Sequence, residues 1–147
     1  MIIRELRTDD YNTIYGFVVN EMEHSEVLYK DMSASLDGMK ADDRYLLVVA
    51  EDNNQVVGFV SAVKILGCID KSYIEITCLV VSSKYQNKGV GKLLLGHIEI
   101  LGKNSNIEKF SVTSGAHRIG AHDFYRKNGY KDGGFVFYKG QVIIKKD

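Results

Sequence analysis

An α/β (α+β) domain of about seven strands and four helices is the fold class this sequence predicts, and two observations carry it. Along the chain the hydrophobic pattern reads strand, two helices, three strands, helix, strand, helix, two strands, switching between a two-residue and a 3.6-residue period. Within residues 73–102, an alternating strand enters Gln86-Asn87-Lys88-Gly89-Val90-Gly91-Lys92 and continues as an apolar helical run. At 147 residues the chain has the size of one domain, so a single domain over 1–147 is expected, with most of its apolar surface in one core.

Residues 2–7 alternate and predict a first strand. Thr8, Asp9 and Asp10 supply capping chemistry before a helical run that carries Ile14, Phe17 and Val18. A second helix is expected over 24–39, where Val27, Leu28, Met32, Leu36 and Met39 recur near the helical period and Gly38 weakens the end. Residues 44–51 and 55–66 are β-rich, and Asp52, Asn53 and Asn54 between them are hairpin chemistry. A third successive strand spans 72–81, with Ile74, Ile76, Cys78 and Val80 on its even positions and Glu75 on a mixed odd face. The helix after the loop shows Val90, Leu94, Ile98 and Leu101 on one side, with Gly102 as its stop. A strand over 107–113 and a helix over 116–128, ended by Asn128 and Gly129, follow. Two short runs at 135–138 and 142–145 complete the order.

Composition excludes several classes. Hydrophobic residues at 45% and charged residues at 26% are globular values, not those of a disordered chain. Basic and acidic side chains number 19 each, so no net field gathers nucleic acid, and no polybasic run marks a membrane surface. Cys68 and Cys78 sit in apolar, strand-like runs and read as buried free thiols, which suits a reducing compartment. The charged amino terminus does not make a signal peptide, and no run approaches the roughly 18 apolar residues of a membrane span, so a cytoplasmic protein is expected.

The loop is where chemistry is readable. The first N–H groups of a helix have no partner within it and carry the positive end of the helix dipole, which suits phosphate. Gly89 and Gly91 permit close backbone approach, and Lys88 and Lys92 add positive charge. The alternative is an ordinary strand-to-helix connection. Neither familiar phosphate fingerprint fits: Leu93, not Ser or Thr, follows Lys92, and position 94 is Leu where a dinucleotide motif needs Gly.

What remains is Gln-x-x-Gly-x-Gly behind a strand, and this resembles the acetyl-CoA loop of the GCN5-related N-acetyltransferases (GNAT family). A second signature supports the resemblance: Ala121-His122-Asp123-Phe124-Tyr125, then three residues, Gly129 and Tyr130, is similar to the family's terminal helix. The resemblance covers essentially the whole chain. It implies a mixed sheet whose strands on either side of the loop helix run parallel and splay apart, with acetyl-CoA as co-substrate and no metal.

The resemblance also implies roles. Gln86, Asn87, Lys88, Gly89, Val90, Gly91 and Lys92 would hold the pyrophosphate, chiefly through amides. Leu79 and Val81 would pair their main chain with pantetheine as an added strand does. Tyr125 would donate to the departing sulfur, a thiolate whose conjugate thiol has a pKa of about 8.5; the alternative is a core aromatic. Glu75 matches the base of one branch of the family, taking a proton from an ammonium of pKa about 10.4, and otherwise is a solvated carboxylate. His122 would wall the cofactor or substrate cleft, and His117 would be an exposed residue at the helix start. Neither has zinc-like spacing to Cys, Asp or Glu. Arg118 departs from the Asn that many relatives use for the pantetheine arm, and an arginine there can reach a phosphate or a substrate carboxylate instead.

Acidic residues Glu21, Glu23, Glu26 and Asp31 lie where the family's helices roof the acceptor, favouring a cationic amine or forming a solvated face. The implied activity is direct acetyl transfer to a primary amine of a small molecule or protein, without a covalent enzyme intermediate. A non-catalytic acyl-CoA-binding module or sensor is the alternative. No nucleic-acid or membrane partner is expected, and a homodimer is compatible with the reading.

Overall fold

A computed structural model describes residues 1–69, 71–114 and 118–140. Two compact units are formed, Met1–Val112 and the stretch from Thr113 onward. In the first, β1 (Ile2–Glu5) leads through a 3-10 turn (Thr8–Asp10) into α1 (Tyr11–Gly16), which continues as a π-helical turn (Phe17–Glu21). There follow α2 (Tyr29–Lys40), β2 (Tyr45–Asp52), β3 (Gln55–Ile65), β4 (Tyr73–Val81), α3 (Val90–Asn104) and β5 (Phe110–Val112). The strands form one mixed sheet in the order β1-β2-β3-β4-β5, antiparallel throughout except for the parallel β4–β5 pair. Five strands are present among the described residues, against about seven expected. Residues 135–138 are in neither helix nor strand, and their expected hairpin partner, 142–145, lies outside the described residues.

The β2–β3 hairpin closes with Asp52 opposite Gln55, and Asn53 and Asn54 take φ of 50° and 61°. Two consecutive left-handed residues match the strand twist, which is why asparagines stand there. Further along, Ser61 pairs with Cys78 but Ala62 pairs with Ile76, so Thr77 is an extra residue on β4. Its hydroxyl fills the gap in the ladder, donating to the Ser61 carbonyl at 3.1 Å and lying 2.7 Å from the Ser61 hydroxyl.

That bulge overturns the expectation that Ile74, Ile76, Cys78 and Val80 share one face. Ile74 lies against α3, its Cδ1 3.0 Å from where a Cβ on Gly102 would stand. Val80, beyond the bulge, belongs to the core cluster with Leu6, Tyr11, Ile14 and Phe17, and Cys78 packs against that cluster beside Met22. An inserted residue breaks the two-residue alternation and exchanges the faces. Glu75, next to Ile74 and before the bulge, therefore belongs to the α1–α2 face.

The α3 side of the sheet is held by Val90, Leu94, Leu95 and Ile98, each 2% exposed or less. Each contributes about 2 kcal/mol of burial, so packing rather than intrinsic propensity holds this helix. On the other face, α2 begins at Tyr29 rather than near residue 24. Glu23 takes φ 59°, and the Tyr15 hydroxyl ties down the Val27 carbonyl at 2.9 Å, so the connection before Tyr29 is a loop. The Tyr11 hydroxyl donates to Asp37 at 2.7 Å, and burial together with that carboxylate pushes its pKa up to about 12. Cys68 is exposed in the β3–β4 connection and Cys78 is half-buried, both as thiols outside any disulfide, so the expectation of two buried thiols holds for neither in full.

The second unit contains α4 (Ile119–Lys127), expected from residue 116; residues 115–117 lie outside the described residues. Gly129, at φ 91°, turns the chain out of the helix, and the amide of Tyr130 returns to the Tyr125 carbonyl at 3.0 Å.

One ionic cluster fastens β1 to its neighbours. Arg4 donates from Nε to Glu51 at 2.7 Å and from its two Nη atoms to Asp10 at 2.8 and 3.0 Å, while the Arg7 amide donates to Asp10 at 2.7 Å. Burial opposes ionisation of Asp10, but the guanidinium and the amide outweigh it and hold its carboxyl below the ordinary value of 3.8. Replacing Arg4 with Met leaves that carboxylate buried without its cation and should cost about 3 kcal/mol in urea unfolding. Because the Asp10 pKa is lowered on folding, its contribution is complete above the ordinary value and is lost as pH falls through the depressed one. Asp10→Asn should therefore flatten the decline of stability in denaturant titrations carried from pH 5 to pH 2.

Candidate active site

The site is built where β4 ends. Parallel pairing with β5 covers only Ile74 with Phe110, Glu75 with Ser111 and Ile76 with Val112. From Cys78 to Val81, β4 has a ladder partner on the β3 side alone among the described residues. Just past the strand, the Ser82 amide donates to Val57 of β3 at 2.8 Å. Antiparallel strands alternate the direction of their main-chain groups, so Leu79 and Val81 direct theirs to the open edge. The Val81 carbonyl accepts the Gln86 side-chain amide there at 3.1 Å. That edge is a template for one more extended chain.

Beyond Ser82 a 3-10 turn (Ser83–Tyr85) brings the chain to the loop, where Asn87 takes φ 62° and Gly89 φ 83°. Gln86, Asn87, Lys88 and Gly89 are exposed, whereas Val90 is buried and anchors the helix start. The first α3 bond runs from the Leu93 amide to the Gly89 carbonyl at 3.0 Å, and no side chain caps the end. The amides of Val90, Gly91 and Lys92 therefore have no acceptor within the helix and lie at the positive end of a 15-residue dipole. An anion, not a neutral group, is what such an end stabilises.

Charge at the loop is positioned by residues the sequence reading did not single out. The Tyr85 hydroxyl donates to Asp52 at 3.0 Å, which raises the phenol's pKa, and the Lys88 ammonium lies 5.4 Å from the centre of the Tyr85 ring. Tyr85 and Asp52 are 33 positions apart, a separation that carries no local pattern. The bulged Thr77 escaped for the same reason.

Of the residues read from the sequence, Glu75, Leu79, Val81, Gln86, Asn87, Lys88, Gly89, Val90, Gly91 and Lys92 all lie on the continuous β4–loop–α3 segment. Glu75 is half-buried. Arg118, His122 and Tyr125 lie in the second unit, at spacings of four and three that put them on one side of α4. Arg118 is exposed, and its carbonyl accepts the His122 amide at 3.1 Å. Tyr125 is half-buried, edge-on to Phe124 and Tyr130 at ring separations of 5.3 and 5.8 Å. His117 lies outside the described residues. On the α1–α2 side, Glu21 belongs to the π-helical turn, Glu26 is 2.9 Å from His24, and Asp31 sits in the first turn of α2. Among the described residues no group of three or more His, Cys, Asp or Glu could hold a metal ion, and no helix is long and apolar enough to cross a membrane.

Comparison with known proteins agrees with this geometry. Residues 2–130 match the Acetyltransferase (GNAT) family. The chain is 28% identical over 141 residues to the aminoalkylphosphonate N-acetyltransferase of Salmonella typhimurium strain LT2, covering 93% of this chain and 89% of that one. Among solved structures, a transcriptional regulator from Bacillus halodurans C-125 superposes with a TM-score of 0.86 at 18% identity, covering 95% of this chain and 99% of that one. The aminoglycoside N-acetyltransferase AAC(6')-Iy, in complex with CoA, gives 0.83 at 14% identity over 96% and 95%. The chain belongs to the GNAT acetyltransferase family, and it is an acetyl-CoA-dependent N-acetyltransferase.

Gly89 holds a left-handed backbone at φ 83°, which L side chains rarely adopt. A side chain at φ 83° costs about 1–2 kcal/mol, and relief requires the loop to rotate away from α3. Gly89→Val should weaken CoA about tenfold or more in calorimetry while the protein stays folded by circular dichroism.

Proposed function

We propose that the chain is one N-acetyltransferase domain over 1–147 that moves the acetyl group of acetyl-CoA to a primary amine of a small molecule by direct attack. The observation that carries the reading is the β4 edge, which among the described residues is open after Ile76 and leads into the uncapped amides of α3. Acetyl-CoA supplies an activated thioester. The amides of Val90, Gly91 and Lys92, with Lys88 and Lys92 nearby in the loop, hold its pyrophosphate, and the main chain of Leu79 and Val81 aligns the pantetheine arm. Catalysis then comes largely from holding amine and thioester together, which in well-oriented systems supplies about 7–11 kcal/mol.

Two side chains move protons in this reading. Glu75, on the α1–α2 face, takes a proton from the incoming ammonium, and Tyr125 donates a hydrogen bond to the sulfur as it gains charge. Neither cysteine acts as a nucleophile. Two of the three proteins named above are an aminoalkylphosphonate and an aminoglycoside N-acetyltransferase, which favours a small amine as acceptor over a protein. Thiol release from acetyl-CoA, measured against a panel holding both kinds of amine with polyamines and lysine peptides, should show turnover on small amines. A panel on which no amine exceeds background hydrolysis would leave a CoA-binding module in its place.

Glu75→Gln should lower turnover most at low pH, where the amine is protonated and a base is needed, with the deficit narrowing as the solution itself deprotonates the amine. An unchanged pH profile would make Glu75 structural. Tyr125→Phe keeps the ring and removes the donor, so CoA affinity should persist while kcat falls, on the order of 10² to 10⁴. KM for acetyl-CoA should change little, because the bond strengthens only as the sulfur acquires charge. Wild-type kcat in Tyr125→Phe, with chemistry limiting, would refute the donor role.

A further inference from the structure

Gly58 lies on β3, where it pairs with Val81, the last residue of β4, and with Ala50 of β2. Its own backbone is not in the left-handed region, so conformational freedom does not explain a glycine here. Space does. A Cβ at Gly58 would stand 3.0 Å from Leu94 Cδ1, 3.1 Å from Val90 Cγ1 and 3.3 Å from the Val80 carbonyl oxygen. The carbonyl is fixed in the sheet, and Leu94 and Val90 are 0% and 2% exposed, so neither side chain can swing into solvent. The element that can yield is the first turn of α3, which rests on Gly58 through these two residues.

We infer that Gly58 is a positioning residue for the cofactor cradle: by having no side chain, it sets the height at which the first turn of α3 sits above the sheet. The amides of Val90, Gly91 and Lys92 ride on that turn, while the Val81 edge belongs to the strand paired with Gly58. Lifting the turn by the few tenths of an ångström that a methyl group demands separates the two halves of one binding surface. The inference rests on the reading that these amides hold the pyrophosphate. Gly58 touches no part of the cofactor itself.

The test is calorimetry with CoA on the purified chain, together with steady-state kinetics on its best amine. Gly58→Ala should weaken CoA about tenfold or more and raise KM for acetyl-CoA in step, with kcat at saturation within about twofold of wild type. Adding Leu94→Val removes the carbon at 3.0 Å, and the double variant should regain most of the CoA affinity although its core has lost a methylene. Val49→Ala, in the cluster on the opposite face of the sheet, should lower the melting temperature without moving CoA affinity. If Gly58→Ala does not fold, Val90→Ile lengthens the same contact from the helix side and should weaken CoA likewise. Wild-type CoA affinity in the folded Gly58→Ala or Val90→Ile protein, or no recovery in the double variant, overturns the inference. Gly91→Val separates this from the underlying reading: if it too leaves CoA affinity intact, the cradle is not the binding site. If it weakens CoA where Gly58→Ala does not, only the role of Gly58 is lost.

Discussion

A strand inside a sheet commits its N–H and C=O groups to two neighbours, and among the described residues β4 does so only from Ile74 to Ile76. From Cys78 to Val81 the same strand pairs with β3 on one side and with no strand on the other among the described residues. An unsatisfied edge of this kind is a hazard in most proteins, because any extended chain can pair with it. Here the edge runs into the uncapped first turn of α3, and the proposed occupant suits the pair: extended and amide-bearing along its length, negatively charged at one end. Acetyl-CoA has that form, with two amides in its arm and a pyrophosphate beyond them.

Holding the edge open while keeping the helix close requires that α3 be fixed at both ends. Near its C-terminus Gly102 lets the Phe110 ring and Ile74 approach, a Cβ there falling 2.7 Å from ring carbons. This contact lies against the stretch where β4 and β5 pair among the described residues. Near its N-terminus Gly58 receives Val90 and Leu94. Between the two, Leu94, Leu95 and Ile98 exclude water from the sheet. The Thr77 bulge completes the arrangement by exchanging the faces of β4, so that Glu75 stands with α1 and α2 while Ile74 stands with α3.

Much of this was readable from the sequence, and the rest was not, for a physical reason. Asn53 and Asn54 announced a hairpin because left-handed backbone is a local demand that few residues meet. Gly89 and the apolar stripe from Val90 to Ile98 announced the strand–loop–helix segment on the same grounds. The Thr77 bulge left no trace, because β4 is covered on both faces and apolar residues suit either one. Tyr85 and Asp52, like Gly58 and Leu94, depend on partners more than 30 positions away, and no period or spacing encodes such a contact. The exposed Cys68 and the late start of α2 at Tyr29 show the converse error: residue type was apolar or helix-compatible, but no surface was there to cover it.

The division between main chain and side chain also explains why the cofactor half of this protein is easier to read than the acceptor half. Amides at a helix end and along a strand edge are present whatever side chains flank them, so the cradle needs little more than glycine where the backbone turns or approaches closely. An acceptor has no comparable backbone template. In the proposed reading it is met by side chains, for which the α1–α2 side offers Glu21 in the π-helical turn and Asp31 in the first turn of α2. The proposed function thus assigns the choice of amine to side chains of the α1–α2 face, with Glu75, and the cofactor to the main chain of the β4 edge and the first turn of α3.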